Sequence, residues 1–201
     1  MSPVRNVVFD FGGVLVRWAP REVVASLFEP SVHDRLMQES FQHADWLEVD
    51  RGTLDEASTS ARVAQRTGLP QASIAELLKR ARESLEPIPD SIALLRKVAG
   101  IEGVHLYGLS NMHGDTFRYL QGRFDFWSLF EGIVISGDIG MLKPDRDIFE
   151  HLTSRFKLNP AESVFIDDNL PNVLAARAHG LKGIQFSGAA ACAAELLPML
   201  A

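Results

Sequence analysis

The chain has 201 residues, 46% of them hydrophobic, with a formal net charge of -6 and a single cysteine; this is enough apolar material for one full core and a smaller appendage. The acidic balance, with no Lys/Arg cluster, argues against nucleic acid or an anionic membrane surface as a partner and for a small molecule. No apolar run approaches the roughly 20 residues of a membrane span, no cleavable signal pattern precedes the first apolar run, and the lone Cys192 excludes an internal disulfide, so the expected compartment is the cytoplasm.

The first strong signal is VVFDFGGVL, Val7 to Leu15. An apolar run broken by glycines reads as a buried strand of a parallel sheet, and Asp10 stands at its carboxyl end, where open α/β sheets bind ligands. From this segment alone, a strand-end turn in which Asp10 bonds the following amides fits equally well. From about Trp18 to Leu85 the patterning is helical throughout, in PREVVASLFEP, SVHDRLMQESFQ, TLDEASTSARVAQRTG and ASIAELLKRARESL. Two prolines in EPIPD, Glu86 to Asp90, mark the change of texture and a candidate hinge. Beyond it, short apolar runs (Val104 to Leu109, Gly132 to Ser136, Ser163 to Ile166, Gly183 to Phe186) alternate with helical stretches. This is βαβ order, and it predicts a doubly wound, Rossmann-like parallel α/β sheet. The simplest assembly is a discontinuous core, 1–17 and 86–201, with residues 18–85 inserted as an all-helical cap.

Each later strand ends on polar groups. Ser110 and Asn111 close YGLSN; Lys143 precedes Pro144 at the entry to a helix; Asp167 and Asp168 end the run FIDD. A lysine near a helix N-terminus opposes the helix dipole and suits an anion better than a structural role, whereas two adjacent acids are as often a solvated helix cap. If Asp10, Asp167 and Asp168 converge, one lysine cannot neutralise them, and either their pKa values rise or a cation enters. Oxygen-only donors favour Mg²⁺ over Zn²⁺, and Mg²⁺ with lysine makes a receptor for a phosphoryl group.

In its ordered set FDFGGVL, LSN, GMLKPDRDIF and FIDDNLPNVLAARAHG, with a cap-sized insert after the first, the chain resembles the haloacid dehalogenase-like (HAD) hydrolase superfamily, helical-cap subclass I, and within it the α-glucose-1-phosphate phosphatase-like group. The resemblance implies a Mg²⁺-dependent phosphatase of small phosphate monoesters, sugar phosphates among them. It implies Asp10 as the nucleophile that forms an aspartyl-phosphate, Ser110 and the Asn111 amide as holders of the transferring phosphoryl, and Lys143 as its counter-charge. Asp10, the Gly12 carbonyl, Asp167 and Asp168 would hold the metal, Asp168 directly or through water. One position departs from the common pattern: phosphatases of the superfamily usually carry an acid two residues after the nucleophile, and here that residue is Gly12, open to a positive φ. General acid–base help is worth about 10²- to 10⁴-fold, so good leaving groups, such as an anomeric phosphate, are favoured or a cap residue substitutes. Glu48, Asp50 and His43 are read first as surface residues and second as such substitutes. His113, three residues past Ser110, is a candidate substrate contact, and Trp18 and Trp46 are read as helix packing first and pocket lining second. The rivals are a metal-independent 2-haloacid dehalogenase, against which the Asp167–Asp168 pair argues, and a non-catalytic relative that binds phosphorylated ligands or partner proteins. Neither the physiological substrate nor the oligomeric state is legible in the sequence.

Overall fold

The computed structural model describes residues 3–200. Five parallel strands, β1 (Asn6–Phe9), β2 (His105–Ser110), β3 (Gly132–Ile135), β4 (Ser163–Asp167) and β5 (Lys182–Gln185), form one sheet in the order β3-β2-β1-β4-β5. Neighbouring residues serve opposite faces, as a pleated strand requires. Val7 and Phe9 join one core cluster with Leu106, Val164 and Ile166, while Val8 joins another with Tyr107, Leu109 and Phe165. Both faces are covered by helices, which is why these strands read as continuous apolar runs and not as alternation.

After β1 the chain forms α1 (Pro20–Leu27), α2 (His33–Glu39), α3 (Asp45–Arg51), α4 (Glu56–Thr67) and α5 (Gln71–Glu83). These surround their own apolar cluster, in which Val24, Leu36, Val63, Ile74 and Leu77 are fully buried. The segments leaving and re-entering the core run side by side, with the Arg17 amide donating to Glu86 O and the Ile88 amide to Leu15 O, both at 2.8 Å. The remaining helices are α6 (Pro89–Ala99), α7 (Gly114–Gln121), α8 (Ser136–Ile139), α9 (Arg146–Phe156), α10 (Leu170–Ala178) and α11 (Ala189–Leu196).

Helix α3 falls within the 18–85 stretch expected to be helical, though outside the four segments that show apolar helical spacing, since seven residues make barely two turns. The Ala-rich stretch GAAACAAE belongs largely to α11, which buries Cys192 and Leu196 against the sheet.

From β1 the sheet grows through β2 and β3 on one side and through β4 and β5 on the other. The chain thus reverses direction at β1, and a crevice opens at such a switch point, at the carboxyl ends of the strands.

Candidate active site

Asp10 and Asp167 stand at the carboxyl ends of two adjacent strands, and the Asp10 amide extends the ladder by donating to Ile166 O at 2.9 Å. Between them lies Lys143, in the loop before α9, with Nζ 2.8 Å from Asp10 Oδ1 and 2.7 Å from Asp167 Oδ2. All three are buried. The lysine loop is clamped by Asn111, whose Nδ2 donates to Lys143 O at 2.9 Å and whose Oδ1 accepts from Lys143 N at 2.8 Å. Asp167 is also held by the Asn169 amide at 2.8 Å and by Asn172 Nδ2, 3.1 and 3.0 Å from its two oxygens. Asn172 is absent from the sequence reading. The signal was its position five residues after Asp167, in the first turn of α10, which faces the strand end the helix follows.

Burial lifts the Asp10 carboxyl to about 6, against the pull of Lys143 and with a further push from Asp167. Burial alone would lower the Lys143 ammonium, but Asp10 and Asp167 outweigh it and hold it above its ordinary value. Burial also raises Asp168, with Asp167 adding to the rise and Lys143 offsetting part of it. Asp10, Asp167 and Asp168 each offer an oxygen within 4.8 Å of the others, so this all-oxygen donor set fits a hard cation such as Mg²⁺.

The glycine turn after β1 allows this approach. Gly13, at φ +74°, lies so close to Asp168 that a Cβ would stand 2.5 Å from Oδ2. Gly12 is the opposite case and corrects the expectation of a left-handed conformation: its φ lies outside that range and nothing lies within 4 Å of where a Cβ would be.

A cavity of about 510 Å³ opens between core and cap. Its core side carries Asp10, Gly12, Ser110, Asn111, His113, Asp115, Lys143 and Asp168, and polar residues of 18–85, Asp50, Asp55, Glu56, Thr59 and Arg82, also line it. The cap contributes Trp18, Trp46, Leu47, Val49, Leu78 and Leu85, which make much of that side apolar. Trp18 and Trp46 therefore line the cavity as well as packing, stacked with centroids 5.8 Å apart and both meeting Phe41 edge-on. His113 lines the cavity while its Nδ1 accepts from the Asp115 amide at the start of α7. Of the three acid substitutes weighed from sequence, Glu48 is exposed and occupied with Thr53, and His43 accepts from the Asp45 amide; neither lines the cavity. Asp50 is not the surface residue expected: it lines the cavity, and burial lifts its carboxyl to about 7 against the effect of Lys143.

A parallel α/β sheet with buried carboxylates and one ammonium at its switch point, facing a cavity lined also by inserted helices, is the architecture of an α/β enzyme with a charged site at the strand ends. The chain belongs to the haloacid dehalogenase-like hydrolase family, whose description matches residues 4–180. It is 31% identical over 192 residues to the sesquiterpene phosphatase astK of Aspergillus oryzae, covering 96% of this chain and 94% of that one. It is also 31% identical over 187 residues to the drimenol cyclase drtB of Aspergillus calidoustus, of whose length the match spans 34%. Among solved structures, the HAD family enzyme bt-2542 of Bacteroides thetaiotaomicron, in complex with magnesium and inorganic phosphate, is similar with a TM-score of 0.71 at 21% identity, over 90% of this chain and 93% of that one. The L-2-haloacid dehalogenase of Xanthobacter autotrophicus with chloropropionic acid covalently bound is similar with a TM-score of 0.70 at 22% identity, over 97% and 83%. At these identities the two structures speak for the fold alone. No helix among the described residues is long and apolar enough to cross a membrane.

Proposed function

We propose that the chain is a Mg²⁺-dependent phosphatase of small phosphate monoesters that works through an aspartyl-phosphate on Asp10. The observation that carries this reading is the buried Asp10–Lys143–Asp167 row, with Asp168 beside it, opening onto the cavity that Ser110 also lines. Asp167, Asp168, Asp10 and the Gly12 carbonyl would hold the Mg²⁺, which supplies charge neutralisation for the phosphoryl group. Asp10 attacks phosphorus; Lys143 lies beside its Oδ1 and offsets the charge of nucleophile and phosphate together. Ser110 and the Asn111 amide hold the phosphoryl oxygens, and the Asn111 side chain keeps the Lys143 loop in place. The cap, residues 18–85, closes over the core formed by 1–17 and 86–201 and limits water in the cavity.

The apolar cap wall favours an ester with a hydrocarbon body over a sugar phosphate, in accord with the relative named for a sesquiterpene substrate. Sugar 1-phosphates are the second choice, because their leaving group needs little acid help. A dehalogenase gains nothing from Asp168 beside a carboxylate that must stay charged. One panel tests the reading: prenyl and alkyl phosphates, glucose 1-phosphate, p-nitrophenyl phosphate and 2-chloropropionate, each with Mg²⁺ and with EDTA. Phosphate release that requires Mg²⁺ and is greatest with prenyl phosphates is expected. Halide release without metal, or full phosphatase activity in EDTA, refutes it.

A further inference from the structure

Two residues beyond Asp10, where an acid would stand over the leaving group, the chain has only Gly12. We propose that Asp50, on the last turn of cap helix α3, is the proton donor and acceptor of the reaction, acting in place of the side chain that Gly12 lacks. The proposal rests on the phosphatase reading above.

Asp50 lines the same cavity as Asp10, Ser110 and Lys143, and its carboxyl feels the charges of both Lys143 and Asp10. Among the described residues no side-chain hydrogen bond or ion pair engages that carboxyl, so it is free to meet a ligand. Its backbone, by contrast, is fixed to the core. Ser136 Oγ donates to Asp50 O at 2.6 Å, and Arg51 Nη1 donates to Gly140 O at 3.0 Å. Gly52, at φ +78°, is pressed against Gly137 so closely that a Cβ would stand 2.3 Å from its carbonyl oxygen. Three consecutive cap residues are thus docked on α8 and the residue that follows it, and Ser136 also accepts from the Met112 amide at 2.8 Å, close to Ser110. A carboxyl on a cap helix is thereby positioned as if it belonged to the core.

The other cavity carboxyls on this side are unsuited to the role. The Ser58 amide holds Asp55 below the usual carboxylate range, Arg118 does the same for Asp115, and Glu56 is taken up by Arg82 Nη1 at 2.6 Å, so all three are engaged as charge partners or acceptors. Burial places the Asp50 carboxyl near neutrality, where both forms are populated. In the first step an Asp10 oxygen bonds to phosphorus, the ester P–O bond breaks, and the departing oxygen takes its electron pair and the Asp50 proton, leaving as the alcohol. In the second, water bonds to phosphorus, gives its proton to the Asp50 carboxylate, and the bond to Asp10 breaks to release phosphate and restore both acids.

The test uses wild type, Asp50→Asn, Gly12→Asp and the double variant, with an alkyl phosphate and p-nitrophenyl phosphate. Asp50→Asn is expected to lower kcat on the alkyl ester by about 10²- to 10⁴-fold with little change in KM. On the aryl ester it should release one equivalent of nitrophenol in a burst before a slow steady state, because only the second step then needs the missing base. Gly12→Asp, for which the turn has room, should restore alkyl turnover in the Asp50→Asn background. Asp50→Ala, run in parallel, reads the same loss without an amide in the cavity. Unchanged alkyl turnover in Asp50→Asn, or equal losses on both esters with no burst, overturns the assignment. Wild-type protein that hydrolyses neither ester would instead remove the phosphatase reading on which it stands.

Discussion

Asp10 is a carboxylate whose ionisation folding does not favour. With its carboxyl raised from 3.8 to about 6 by burial, the folded chain holds a proton between those pH values that the unfolded chain has lost. Stability is therefore drawn down as pH rises through that window, and the full penalty stands above it. Asp10→Asn keeps the shape without the charge. With Mg²⁺ present it should abolish turnover, and in EDTA it should raise stability to denaturant at pH 8 by on the order of 1–3 kcal/mol, an advantage that fades towards pH 4. Equal midpoints for variant and wild type at pH 8 would refute the argument. Asp10, Ser110, Asp167 and Asp168 stood out in the sequence as polar groups at the ends of apolar strands, and Lys143 as a cation near a helix N-terminus, where it opposes the dipole. Asn172 and Asp50 were not, because an asparagine in a helix's first turn and an acid in a short helix look like solvated groups until their neighbours are known.

At the scale of elements, the strands and the longer helices follow from local pattern, since each buries an apolar run or stripe against a neighbour. Helix α3 does not. Its residues are all exposed or half-buried, and its bonds to the core hold it in place more than any apolar face does. The rest of the cap has a core of its own, centred on residues such as Ile74, which is fully buried. Ile74→Ala should cost about 2–5 kcal/mol, the range for truncating a well-packed aliphatic side chain, measured as a shift in denaturant midpoint. A loss below about 0.5 kcal/mol, within the range of ordinary surface substitutions, would show that this cluster contributes little to the fold.

At the scale of the molecule, core and cap meet where Gly52 lies on Gly137 and Ser136 holds Asp50 O. Both sides of the glycine contact are backbone, so a side chain there cannot be absorbed by a rotamer change. Gly52→Ala adds a methyl group in a left-handed conformation against a carbonyl oxygen and should cost about 1 kcal/mol or more. Because it displaces α3 and not the Asp10–Lys143 row, kcat on alkyl phosphates should fall further than the melting temperature alone implies. Wild-type kcat and melting temperature together in this variant would show that the contact is dispensable.

The sequence by itself determined the parallel sheet, the inserted helices and the polar residues at the strand ends. In a parallel sheet every strand finishes at the same edge, so the local pattern of each run, with that one rule, suffices to gather Asp10, Ser110, Asp167 and Asp168 there. Only the tertiary structure decided that Lys143 spans two carboxylates, that Gly12 has an ordinary backbone with open space beside it, and that Asp50, of three polar cap residues, turns into the cavity. The first two depend on how the loops at the sheet edge pack on one another, and the third on how the helices of residues 18–85 dock on that edge. The angle and depth of that docking are set by contacts between residues up to 89 positions apart, such as Arg51 with Gly140, which no local periodicity encodes.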